Sequence, residues 1–381
     1  MRVPCIPLVL CCAFILACED NAPTGPEDGN TALFKPKCET PPCKGGDPPP
    51  PPTVGDPAIL FSSAMEGNVG GGGCKRGDLH WSVYRMDTDG LYERVFPDAL
   101  EIQSASLYPS FAPDGQQFAF YRDVYTVAKG RCATEHFHIA TAGVDGTGFQ
   151  IIREIERGVG GLDQPRWSPG PVGGVERIGW LEWVEDFALM TVVIANTDGS
   201  NANVVVSGTA DYEVEGFEWS RSGDAVLVYF RGWEAVDSYL RLYSLDCSVS
   251  CTTASSLVIG NLSPITPDKW FGEMDWARQH DWVAVPACGG GNCDLYKIDL
   301  SNPVSPAVTQ LTANGLDEGE VSWSPDDSML LFTAWAIDGT RKALELDLSV
   351  ATLPWNGDVS APGIRVLAEV GNSWGLDRRR F

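Results

Sequence analysis

Phe111-Ala112-Pro113-Asp114-Gly115 decides how this chain is read: an aromatic residue followed by residues suited to a tight turn. Trp167-Ser168-Pro169-Gly170, Trp219-Ser220-Arg221-Ser222-Gly223 and Trp323-Ser324-Pro325-Asp326-Asp327 repeat it, and the aromatic returns with part of the turn at Trp276 and Trp374. The spacing is roughly 50 residues, a period that marks a repeat architecture.

Beyond each turn lies a short apolar run suited to a buried strand, at residues 117–121, 178–183, 225–230, 282–285 and 329–333. A third strand follows and ends at an aspartate turn, as in Val193-Ile194-Ala195-Asn196-Thr197-Asp198-Gly199. Residues 203–206 and 308–311, rich in β-branched side chains, read as a fourth strand. A single four-stranded sheet of this kind leaves both faces bare, and packing several around an axis covers them.

The aromatic and its Ser-Pro-Asp-Gly turn, the apolar strand, and turns such as Tyr84-Arg85-Met86-Asp87-Thr88-Asp89-Gly90 together resemble the TolB-type WD-like repeat. The resemblance covers residues 58–381 and implies an all-β, six-bladed β-propeller of four-stranded antiparallel blades. The first apolar strand, 58–62, has no aromatic-turn element before it, and the last such element, 373–378, has no blade after it. The ring is therefore expected to close by the C-terminal strand joining the first blade, which removes exposed sheet edges.

Upstream, residues 1–17 read as a signal peptide: Arg2 precedes an apolar run too short to span a bilayer. Ile15-Leu16-Ala17-Cys18 resembles the bacterial lipobox, which implies lipidation at Cys18. Residues 18–57 then form a tether poor in large apolar side chains, with an unbroken proline run at 48–52. The chain is expected in the bacterial envelope, outside the cytoplasm, anchored at the outer membrane or cell surface, as a monomer touching the membrane only through its lipid. With 27 basic against 51 acidic residues and a net charge of −24, it would be repelled by nucleic acid and by anionic lipid.

The 12 cysteines fit an oxidising compartment. Cys5, Cys11 and Cys12 leave with the signal, and the short spacings pair Cys38 with Cys43, Cys247 with Cys251 and Cys288 with Cys293. Cys74 and Cys132 fall in equivalent loops of neighbouring blades and are paired with each other.

Catalytic chemistry finds little support. Gly371-Asn372-Ser373-Trp374-Gly375 matches a nucleophile elbow, but Trp374 is the repeat aromatic and the last histidine, His280, lies upstream of the serine. The chain is read as a non-enzyme. His136 and His138 alternate along one strand beside Glu135 and could hold a divalent metal; oligogalacturonate lyases, which resemble this fold class, use a histidine-bound metal in a propeller channel. No cofactor is expected beyond such a cation, calcium included; the Asp-Gly turns at Asp89, Asp145, Asp198 and Asp338 lack the ligand pattern of calcium loops and read as hairpin turns.

The innermost strand of each blade lines a propeller's channel, so the residues ahead of each repeat aromatic matter for binding. Two before it stand Pro109, Pro165, Phe217, Met274 and Val321, an apolar set that packs between blades. One and three before it stand polar residues, among them Tyr108, Gln164, Arg166, Glu218, Glu273, Asp275 and Glu320. Glu218, Glu273, Asp275 and Glu320 come from consecutive blades and are expected to form an acidic patch for a cation or a basic peptide. The resemblance implies a protein-recognition or scaffold module that engages an envelope protein. The alternative is a propeller that binds or cleaves a polysaccharide in its channel, or holds a glycan on tryptophans such as Trp233, Trp335 or Trp355.

Overall fold

A computed structural model describes residues 59–63, 81–88, 90–96, 104–128, 131–184, 189–232, 238–265, 270–289, 291–335, 341–369 and 373–378. The expected signal peptide, Cys18, the tether, Cys38–Cys43, Cys74 and Trp233 lie outside them. Cys132 is described only as backbone.

Among the described residues twenty-five strands build six antiparallel sheets. Blade 2 is β4 (Ser104–Phe111) to β7 (Gln150–Glu156), with β5 (Gln117–Ala128) and β6 (Arg131–Gly143) between. Blade 3 runs from β8 (Gly160–Trp167) through β9 (Arg177–Val184) and β10 (Thr191–Asn196) to β11 (Asn203–Ser207). Blade 4 runs from β12 (Tyr212–Trp219) through β13 (Ala225–Gly232) and β14 (Tyr239–Asp246) to β15 (Thr252–Val258). Blade 6 runs from β21 (Asp317–Trp323) through β22 (Met329–Trp335) and β23 (Arg341–Asp347) to β24 (Ile364–Glu369). Phe111, Trp167, Trp219 and Trp323 each close the first strand of their blade, whereas Trp374 is the second residue of Ser373–Arg378, the first strand of blade 1.

Blade 5 departs from the pattern. Its first strand is split into β16 (Trp270–Phe271) and β17 (Asp275–Trp276), both paired to β18 (Trp282–Gly289), followed by β19 (Asn292–Asp299) and β20 (Ala307–Gln310). Its aromatic also lacks the Ser-Pro-Asp-Gly turn. Asp327 of blade 6 supplies the missing order: its carboxylate accepts the backbone N–H groups of Arg278, Gln279 and His280 at 2.6, 2.7 and 2.9 Å.

The ring closes as the sequence predicts. In blade 1, β25 (Ser373–Arg378) lies inside β1 (Ile59–Ser63), β2 (Ser82–Met86) and β3 (Tyr92–Arg94), with Ile59 opposite Arg378 and Ser63 opposite Ser373. First strands of successive sheets adjoin one another around the cycle.

Strand alternation explains why the sheets need neighbours. On β13, Val226, Val228 and Phe230 enter the apolar cluster shared with blade 3, while Leu227 and Tyr229 enter the one shared with blade 5. Six such clusters fill six joints; the closing joint is held by Ile59, Phe61, Tyr84 and Met86 against Leu331 and Ala343. At ~1.5–3 kcal/mol for each large side chain buried, these joints dominate the stability of the ring.

The repeat residues have specific tasks. Ser168, Ser220 and Ser324 accept, on their hydroxyls, the N–H that opens the next strand, from Arg177, Ala225 and Met329 at 3.1, 3.1 and 2.9 Å. Indole N–H groups of Trp219 and Trp323 donate to the carbonyls of Arg166 and Asp275 in the preceding blade, each at 3.1 Å. A tryptophan there fastens one blade to the last. The Asp-Gly turns at Asp145 and Asp198 behave as hairpins: Gly146 and Gly199 take φ +80° and +82°, and each aspartate accepts the N–H two residues on; Asp89 and Asp338 lie outside the described residues. Disulfides join Cys247 to Cys251 and Cys288 to Cys293.

Candidate functional site

The inner strands share an irregularity three residues before the aromatic. Pairing shifts between Leu107 and Ser110 on β4, Asp163 and Arg166 on β8, Val214 and Gly216 on β12, and Gly319 and Ser322 on β21. In blade 5 the same place is the gap holding Glu273. Bulges of this kind bend a strand and re-aim its side chains. Tyr108, Gln164 and Glu320 occupy it with φ of +53°, +43° and +50°, left-handed values that cost a non-glycine residue on the order of 1–3 kcal/mol.

These side chains converge on the axis. Arg166 of blade 3 pairs through Nε with Glu218 of blade 4 at 3.3 Å, and its terminal nitrogen reaches Glu273 of blade 5 at 3.0 Å. A contact that skips a blade crosses the channel. Arg341 donates to Glu320 at 2.6 Å and to the Thr333 hydroxyl at 2.8 Å. Tyr108 of blade 2 lies within the electrostatic reach of Asp163, Glu273, Glu320 and Arg166, so one group of side chains draws on blades 2, 3, 5 and 6.

Acidity follows from burial. Desolvation, with Asp163, Glu273 and Glu320 adding to it, raises the Tyr108 phenol far above its ordinary range, so the phenol stays protonated. Burial pushes Asp163 up to about 7; the Gln164 N–H and Arg166 pull against it, while Glu273 and Asp123 push further. Burial pushes Glu320 up to about 8, with Arg341 opposing and Glu273 reinforcing. Asp123, raised by burial, accepts hydrogen bonds from the hydroxyls of Tyr121 and Tyr125. Five carboxyl groups thus gather with Arg166, Arg341 and Arg157, the last acting on Asp123, and burial favours the neutral form of Asp123, Asp163 and Glu320.

Three of the four expected acidic residues, Glu218, Glu273 and Glu320, meet here, each beside an arginine rather than in an open patch. Asp275 sits apart: it pairs with Arg278 at 3.0 Å and accepts the Trp323 N–H at 2.7 Å, which ties blade 5 to blade 6. Sequence reasoning passed over Asp163, which lies one position outside the pattern compared, and Arg341, which arrives from the third strand of blade 6.

His136 and His138 do share a side of β6, as alternation requires. Both face Glu154 on the outermost strand of blade 2, at 2.9 and 3.7 Å, with ring centroids 6.2 Å apart. Burial lowers the His138 pKa. Among the described residues no three His, Cys, Asp or Glu side chains gather to hold a metal. Trp355 is in the core, 2% exposed, with its indole N–H on the Asp358 carbonyl, so it presents no face to a glycan. Trp335 is half-buried under the Arg341 guanidinium.

Sheets and closure define a six-bladed β-propeller whose fold is like that of TolB structures. TolB from Acinetobacter baumannii superimposes with a TM-score of 0.56 at 14% identity, covering 85% of this chain and 67% of that one. A putative TolB from Agrobacterium tumefaciens gives 0.52 at 12% identity, covering 84% and 90%. The likeness is one of fold. No protein-family model and no curated protein matches the sequence.

Proposed function

We propose that this chain is an extracytoplasmic, lipid-anchored propeller that recognises a protein partner at its channel, taking a basic side chain into the axial cluster. The observation that carries this reading is the gathering of five carboxyl groups, one from each of blades 2 to 6, around Arg166 and Arg341 at the axis, beside backbone that is left-handed at Tyr108, Gln164 and Glu320. Strain of that kind concentrates at working sites. Two disulfides support a place outside the cytoplasm. The resemblance of the repeat to the TolB type supports a protein-recognition module, and the likeness of fold to TolB structures agrees with it.

Capture from bacterial envelope extract, read by mass spectrometry, tests it. Wild type should retain a specific protein, and Glu273→Gln with Glu320→Gln should lower its recovery at least ~10-fold, the loss of about 1.4 kcal/mol. Equal recovery by both forms counts against the axial site.

A second reading is favoured by Asp163, whose carboxyl near 7 is suited to acid–base work on a polysaccharide in the same channel. Release of reducing ends by wild type and none by Asp163→Asn would support it.

A further inference from the structure

Closing the ring covers the inner strands and leaves each blade an outermost one. Among the described residues, β15 of blade 4 is the one outermost strand that is exposed at every position. Its sequence, Thr252-Thr253-Ala254-Ser255-Ser256-Leu257-Val258, carries no charge. β7, equally long, carries Arg153, Glu154 and Glu156; β3 carries Glu93 and Arg94, and β24 carries Arg365 and Glu369. β11 and β20 are uncharged but shorter. Charged side chains keep a foreign strand from adding to a sheet edge, and β15 lacks that protection.

The surroundings of β15 are uncharged as well. Residues 168–175, 199–210 and 247–267 contain no Asp, Glu, Lys or Arg, in a chain with 51 acidic residues. The fold brings these segments together at the rim between blades 3 and 4. Asn203 donates from its side chain to the Cys251 carbonyl at 2.7 Å, and the Thr253 hydroxyl donates to the Val205 carbonyl at 2.5 Å. Gly173 lies so close to the Cys247 carbonyl that a Cβ there would collide with it. The buried Arg177 donates to the carbonyls of Cys247 and Val249 at 3.3 and 3.2 Å, and a disulfide closes that loop. On this fixed frame Val175, Val204, Val249, Leu257 and Val258 stand exposed, Val249 to 74%. Apolar surface without charge is the composition of an interface core.

Backbone alternation sets how the edge can pair. The Ile259 N–H donates to the Leu240 carbonyl at 2.9 Å, and Ser255–Val258 run in unbroken register with Ser244–Arg241. The N–H and C=O of Leu257 therefore face β14, and those of Ser256 and Val258 face outward. Two copies, each with net charge −24, repel one another over most of their surface. At this rim they can approach without setting carboxylate against carboxylate.

We propose that β15 is a self-association edge: it pairs antiparallel with β15 of a second copy about a twofold axis at Leu257, joining the two copies of blade 4 into one sheet. Ser256 and Val258 of each copy then exchange N–H···O=C bonds with Val258 and Ser256 of the other. Leu257 meets its own copy in the non-hydrogen-bonded position, where side chains come closest. So short an edge belongs with the weak, concentration-dependent interfaces, below ~1,200 Å². This inference replaces the monomer expected from the sequence and does not depend on what the channel binds.

Sedimentation equilibrium of the purified chain tests it. Wild type should form a reversible dimer that tightens as salt screens the net charges. Leu257→Lys, at an exposed position, should weaken the dimer at least ~10-fold, whereas Val304→Lys on blade 5, equally open to solvent, should leave it unchanged. Leu257→Cys should cross-link to its own copy under mild oxidation, and Val304→Cys should not. A wild type still monomeric at ~1 mM overturns the proposal, as does a Leu257→Lys variant that dimerises like wild type. A monomeric wild type whose Leu257→Lys form loses a protein captured from envelope extract would give the edge to a partner's strand, and also overturns it.

Discussion

Asp163 and Asp198 belong to the same blade, one on its innermost strand and the other in the turn between its two outermost. Burial pushes Asp163 up to about 7, whereas the hydroxyl and N–H of Ser200 hold Asp198 below the usual carboxylate range. The contrast runs through the molecule. Asp145, Asp326, Asp347 and Asp358 are held down by turn hydrogen bonds, and Asp123, Asp163, Glu318 and Glu320 are raised by burial in the interior. Composition alone gives one acidic protein; geometry gives two populations, one that stabilises as it ionises and one that stabilises while neutral.

The largest break in this contrast is expected from Arg166→Met. The guanidinium is 10% exposed and holds two carboxylates whose own exposures are 3% and 12%. Removing it strands both, a situation that costs ~3–5 kcal/mol when a buried pair loses one partner. Urea denaturation at pH 7 should show the loss, and adding Glu273→Gln should restore part of it. A single variant as stable as wild type would mean the axial acids are already neutral or solvated without Arg166.

Next in size is Asp163→Asn. A folded pKa raised to about 7, against ~3.9 unfolded, makes the acid's contribution complete below pH ~4 and lost as pH rises toward 7. Wild-type stability should therefore decline across that window more steeply than the variant's, by up to ~10-fold per pH unit in the unfolding constant. Asp163 is partly buried rather than sealed, so screening by solvent makes that slope an upper bound. Parallel profiles would place Asp163 with the turn aspartates.

The two populations were unequally legible. Asp145 and Asp198 announce their turns, since an aspartate followed by glycine calls for a positive φ at the next residue. The repeat aromatic, its serine turn and the unmatched ends of the chain likewise give the blades and the closure, because each is a local pattern in fixed register. The axial cluster depends instead on which side chains cross the axis. Arg166 and Glu273 lie two blades apart, and Arg341 reaches Glu320 from the start of the third strand of blade 6, far in sequence from the repeat aromatic. Nor does any local signal announce that Asp327 would cap the broken turn of blade 5 from the neighbouring blade.

The smallest effect is expected from Asp326→Asn, and it sharpens the contrast because its sign is opposite. Hydroxyls of Ser324 and Ser328 and the Ser328 N–H hold the Asp326 carboxylate down to about 2. Asparagine keeps an acceptor for the turn, so at pH 7 the variant should differ little from wild type; the exposed site is screened by solvent. A depressed pKa contributes stability above the unfolded value of ~3.9 and loses it as pH falls toward 2. Between pH 4 and 2 the wild type should therefore give up a small advantage that the variant never had, while Asp163→Asn, which keeps Asp326, stays at a constant difference from wild type in that range. Denaturation curves for both variants across the acid limb decide it. If Asp326→Asn instead altered the slope between pH 5 and 8, ionisation at the turn face would be governed by burial as well, and the division between axis and turn would fail.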